Sequence, residues 1–126
     1  MHAAVLGDLT IDVEEASAER MVLRWKGASN TRDPAMELRP FFDAVLAEAR
    51  ARNATVEQHF EALTFFNSAT VSFLLRLVTE AGQLGIPMSL YYDATLRWQE
   101  RNFGGITTLL GSLPLLRVES IAASRS

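Results

Sequence analysis

Leu9, Ile11 and Val13 alternate with Thr10 and Asp12, and Met21, Leu23 and Trp25 alternate with Val22 and Arg24, the two-residue period of half-buried strands. Together they predict a hairpin at the start of the chain. The polar stretch from Gly27 to Pro34 reads as a loop, with Asp33 as N-cap and Pro34 at the first helical position. Leu38, Phe41, Phe42, Val45, Leu46 and Ala49 then recur at three- and four-residue intervals, and because Pro40 breaks the run the main helix is placed near 39–52. Val56, Gln58 and Phe60 predict a third strand, ending before Leu63. From Ser68 to Gln83 Val71, Leu74, Leu75, Val78 and Ala81 make an apolar helical face that Phe73 and Leu77 widen, so this helix is either buried on more than one side or shows apolar surface to a partner. Pro87 to Tyr92 reads as a strand and Thr95 to Phe103 as a helix that Gly104-Gly105 break before a short helical turn near 106–110; Leu115 to Ile121 gives a last strand. Strands separated by helices pair in parallel, so the order predicts an α/β fold: one mixed sheet, hairpin first, with helices packed on it.

The 126 residues fit one domain, expected over the whole span 1–126, and with 48% hydrophobic and 21% charged residues they sit near the globular average. The net charge of −3 and the single lysine, Lys26, argue against nucleic acid as a partner. The absence of cysteine excludes disulfides, thiolate nucleophiles and cysteine metal sites. No apolar run is long enough to span a bilayer and the first residues lack a signal-peptide pattern, so the expectation is a cytoplasmic protein without a membrane partner.

No phosphate-binding glycine loop, nucleophile elbow or paired-histidine metal motif occurs, and no cofactor is expected. Glu57, His59 and Glu61 share one face of a strand at two-residue spacing, a pattern compatible with a divalent metal but more often a solvated strand face. The expectation is no metal site and no enzyme. Arg97, Glu100 and Arg101 read as a solvated helix face, Trp25 and Trp98 as packing, and Tyr91-Tyr92-Asp93 as a strand end where a small ligand can bind. The most informative segment is Phe65-Phe66-Asn67-Ser68-Ala69-Thr70-Val71. Asn67 is a good N-cap, which puts Ser68 and Thr70 in the first turn of the helix, beside free N–H groups and the positive end of its dipole. A phosphoryl group on Ser68 would be tolerated there while adding about −1.5 to −2 charges to the surface.

This segment resembles the motif of the STAS family, the anti-sigma factor antagonists and their relatives, in which a strand and an apolar pair lead to Asp-Ser-Ser-Gly at the head of an apolar helix. Leu63 to Leu75 matches it in order and spacing, and the elements on either side fall in the family's order. The resemblance implies a bacterial regulator acting by partner switching: the antagonist binds an anti-sigma factor, often itself a serine kinase of histidine-kinase-like type, and phosphorylation weakens the complex. It implies Ser68 as the phosphorylated residue, with Thr70 as second choice, Asn67 and Asn30 flanking the site where the family has acidic residues, and Phe73 and Leu77 as candidates for partner binding. A serine phosphatase and assembly with further copies of the chain are left open. The alternative is a STAS-like sensory or scaffolding module that binds a small ligand or self-assembles without phosphorylation.

Overall fold

In the computed structural model, which describes residues 1–121, the alternating segments near the start form β2 (Leu9–Ser17) and β3 (Arg20–Ser29), an antiparallel hairpin. A three-residue strand, β1 (Ala4–Leu6), precedes it and pairs antiparallel with β2 through the Gly7-Asp8 turn. Three residues are too few to display a period, so the hairpin is not the first element. The chain continues as α1 (Pro34–Arg52), β4 (Thr55–His59), β5 (Leu63–Phe66), α2 (Ser68–Gln83), β6 (Met88–Tyr92), α3 (Arg97–Leu110) and β7 (Leu116–Ser120). The sheet has the order β1-β2-β3-β4-β6-β7, with β5 added to the far end of β3. From β3 onward every pairing is parallel.

Each crossover steps toward the same edge, so right-handed connections put all three helices on one face. A run of aromatic rings ties them to the sheet. Trp25 of β3 lies 6.0 Å from Phe42 of α1 and 5.0 Å from Phe60, Phe42 meets Phe73 of α2 at 5.6 Å, and Phe60 meets Phe103 of α3 at 4.9 Å. These rings are all buried, and each contributes on the order of 1.5–3 kcal/mol by leaving water. The opposite face of the sheet is polar: Lys26 pairs with Asp12 at 2.8 Å, Arg24 with Glu14 at 3.0 Å and Arg20 with Glu57 at 2.5 Å.

Two helices differ from the sequence expectation. α1 begins at Pro34, with Asp33 Oδ1 accepting from the Met36 N–H at 3.1 Å, and runs through Pro40 rather than starting beside it. Met36 and Pro40 are one turn apart on the exposed side, so the carbonyl that Pro40 cannot pair faces water. α3 likewise runs unbroken through Gly104-Gly105. Each glycine costs about 1 kcal/mol relative to alanine in a helix, less than is gained by burying Phe103 and Ile106 on either side of the pair.

Gly27 directs the sheet toward the site. Its φ is 87°, a region that favours glycine, and a Cβ there would lie 1.9 Å from the Asp8 carbonyl oxygen. Here β3 leaves β4, whose pairing ends at Arg24↔His59, and takes up β5 at Gly27↔Leu63.

Candidate functional site at the head of the second helix

β3 and β5 end side by side, Ser29 opposite Phe66, and α1 and α2 start from these two ends. Asn67 caps α2: its Oδ1 accepts from the Thr70 N–H at 2.9 Å and from the Thr70 hydroxyl at 2.8 Å. Its Nδ2 donates to the Thr31 carbonyl at 2.7 Å, and its backbone N–H donates to the Ser29 carbonyl at 3.0 Å. The Thr70 hydroxyl also lies 2.7 Å from Ser29 Oγ. An amide oxygen only accepts, so the Thr70 proton is committed to Asn67 and Ser29 is the donor in that second bond. The result is one directed chain, Ser29 to Thr70 to Asn67 to Thr31. It joins β3, the loop before α1 and the first turn of α2.

This chain of bonds gives a physical reason for Asn67 and Thr70, two of the three positions at which the segment departs from the motif it resembles. Asn67 uses both ends of its amide, and a carboxylate there has no proton for the Thr31 carbonyl. A glycine at 70 would leave Ser29 and Asn67 each one partner short. Thr70 is fully buried and its hydroxyl is engaged on both sides, so the folded protein does not present it for modification, which corrects its place as second phosphorylation candidate. Ser68 is exposed at the first position of the helix, and no acidic residue lies in that turn. An added anion therefore meets free N–H groups and no fixed negative charge in the first turn of α2. Asn30 is exposed in the loop tethered by Asn67, one residue before Thr31.

Phe73 and Leu77 do not face outward. They are 1% and 0% exposed, Phe73 against Phe42 of α1, so both belong to the core and not to a docking surface. The periodicity left this open because α2 is covered on two sides, by the sheet beneath and by α1 alongside. The exposed large apolar side chains at this end of the sheet are Phe65, 49% exposed on β5, and Met36, 73% exposed in the first turn of α1.

Ser29, Thr31 and Gln99 were not singled out from sequence. Gln99 is completely buried; its Nε2 donates to the Phe60 and Leu63 carbonyls at 2.7 and 3.1 Å and its Oε1 accepts from the Asp93 N–H at 2.8 Å. It thereby fixes the turn that aims β5, and with it α2. A glutamine in a polar helix segment carries no sequence signal of such a role.

The remaining candidates lie elsewhere in the fold. Glu57, His59 and Glu61 do converge, His59 Nδ1 lying 3.2 Å from Glu61 and Nε2 3.9 Å from Glu57. The Arg20 guanidinium, however, bonds the Glu57 carboxylate and holds it below the usual carboxylate range, and His59 stacks on Tyr91 at 4.7 Å. Among the described residues no group of three or more acidic or imidazole side chains is placed to hold a metal ion. At the end of β6 Asp93 Oδ1 accepts from the Thr95 N–H and hydroxyl at 2.9 and 2.6 Å, while Tyr92 stacks on Phe103. Burial, then nearby Glu100, push the Tyr92 phenol upward. Trp25 is buried and Trp98 packs edge-on to Phe66, whereas Arg97, Glu100 and Arg101 are exposed.

With this geometry in place, comparison with solved structures is informative. An anti-sigma factor antagonist from Mycobacterium paratuberculosis matches with a TM-score of 0.57 at 16% identity, over 90% of this chain and 90% of that one. The anti-sigma factor antagonist SpoIIAA in its unphosphorylated form gives 0.55 at 17% identity over 86% and 87%, and the Bacillus cell fate determinant SpoIIAA in its phosphorylated form 0.55 at 20% over 86% and 90%. The chain thus has the STAS-like fold seen in anti-sigma factor antagonists. No protein-family model and no curated protein matches it in sequence. Among the described residues no helix is long and apolar enough to cross a membrane.

Proposed function

We propose that this protein is a regulator that works by binding other proteins, in the manner of an anti-sigma factor antagonist, through the head of α2, and that phosphorylation of Ser68 controls the binding. The observation that carries the reading is an exposed serine at the first position of a helix whose cap is pinned from three sides, with exposed Phe65 and Met36 at the same end of the sheet. Its partner is an anti-sigma factor or a serine kinase of histidine-kinase-like type, with a serine phosphatase to reset it.

The physics of the switch is local. Unmodified, the first turn of α2 and its apolar neighbours are desolvated against the partner. A kinase moves a phosphoryl group from its nucleoside triphosphate to Ser68 Oγ, and the hydroxyl proton goes to a base of the kinase, because Asn67 is no base. The product carries about −1.5 to −2 charges into the interface while the helix dipole keeps the domain folded. A penalty of about 1.4 kcal/mol is already a tenfold loss of affinity.

The test is a pull-down from the source cell with the parent, Ser68→Ala and Ser68→Asp as bait, read by mass spectrometry for partners and phosphosites. Recovery of an anti-sigma factor or serine kinase by parent and Ser68→Ala but not by Ser68→Asp supports the reading. Equal recovery by all three, with Ser68 unmodified, contradicts it.

A further inference from the structure

β7 ends the sheet, and its outer side has no strand beside it among the described residues. The bonds at its two ends, Met88 N–H to Leu115 carbonyl at 3.0 Å and Ile121 N–H to Tyr92 carbonyl at 2.7 Å, set which residues face β6. By alternation Arg117 and Glu119 turn their backbone groups inward to β6, and Leu116, Val118 and Ser120 turn theirs outward. The Leu116 N–H is taken by the Leu113 carbonyl at 3.2 Å; among the described residues no backbone group pairs with the other outward groups. β7 is short and carries Arg117 and Glu119, but it has no proline, no bulge and no charge on the face that bears Leu116 and Val118.

The strand is complementary to itself. Turned about a two-fold axis at Val118, an antiparallel copy brings Arg117 opposite Glu119 and Glu119 opposite Arg117, Leu115 opposite Ile121, and Val118 opposite Val118. The parity also fits. Val118 is an outward-bonding residue, so the central pair exchanges both backbone bonds, and Ser120 N–H reaches the Leu116 carbonyl in each direction. Arg117 and Glu119 then fall at the non-bonded positions, where facing side chains approach most closely. In the single chain these two side chains pair with each other along the strand, and Arg117 is 67% exposed. The partner exchanges that exposed contact for two cross-strand ones. At the other edge β1 offers only three residues.

We propose that β7 is a self-association surface, and that a second copy of this chain pairs with it antiparallel about Val118 to continue the sheet across two molecules. The surface lies on a different edge from Ser68 and does not depend on the reading of that site.

Sedimentation of the full chain up to about 0.5 mM, far above a micromolar Kd, tests it. The parent is expected to dimerise. Arg117→Glu and Glu119→Arg each set like charges opposite one another and weaken the dimer tenfold or more, and combining them restores it. Val118→Pro removes only an outward N–H, so it abolishes the dimer with the circular dichroism of the monomer unchanged. A parent that stays monomeric, a dimer indifferent to these substitutions, or a double reversal without recovery overturns the proposal. Ser68→Asp is expected to dimerise like the parent, which separates this outcome from that of the partner pull-down.

Discussion

Asn67 carries more of the site than any other residue because it satisfies five groups through four of its own atoms. Replacing Asn67→Asp keeps the cap to Thr70 and gains from the helix dipole, but sets a carboxylate against the Thr31 carbonyl. Unfolding in urea is expected to show a net loss of about 1 kcal/mol at neutral pH. The deficit should narrow in acid, where the protonated carboxyl again has a hydrogen to donate; a variant as stable as the parent at neutral pH contradicts the assigned hydrogen bond. Thr70→Val, nearly the same shape, leaves Ser29 and Asn67 short of a partner, and the same measurement should register a loss of about 1–3 kcal/mol. The cap and the serine were legible in sequence from Asn67-Ser68 ahead of an apolar run. Ser29 and Thr31 were not, since they lie more than thirty residues away and meet the cap only once β3 and β5 are paired.

At the scale of the element, apolar periodicity located α2 to the residue and failed where two forces competed. Glycines at 104 and 105 look like a helix end, and only the burial of Phe103 and Ile106 in the folded core overrules them. Space is open around the position where a Gly105 Cβ would stand, so Gly105→Ala is expected to raise stability by about 1 kcal/mol, a shift of several degrees in a thermal melt. No gain would mean that the helix is strained at this point. Phe73 and Leu77 show the converse limit: a widened stripe reports burial or a binding face equally well, and the sequence holds nothing that says α1 will cover it. Phe73→Ala is therefore expected to cost about 3–5 kcal/mol of folding stability, and any loss of partner binding should follow from unfolding.

Over the whole molecule, the alternation of strands and helices made the layering readable, while β1 and β5 were too short to show a period. β5 matters most for the proposed function, because it carries the chain from the sheet to Ser68. On the face away from the helices, the Arg20 hydrogen bond lowers the Glu57 carboxyl in the folded state. A carboxylate lowered in this way adds stability above its unfolded value, near 4.5, and loses it as pH falls through the folded value. Glu57→Gln should accordingly lower the urea midpoint at neutral pH and flatten its decline in acid; an unchanged acid limb would show that the pair contributes nothing.

The proposed function requires that the head of α2 take a change of charge without disturbing the fold. The direct measurement compares Ser68→Asp with Ser68→Ala in two readouts, thermal melting of the purified chain and affinity for the partner captured by the parent. Matched melting with at least a tenfold loss of affinity for Ser68→Asp is the predicted result. Equal affinities at matched stability would contradict control of binding by charge at this serine.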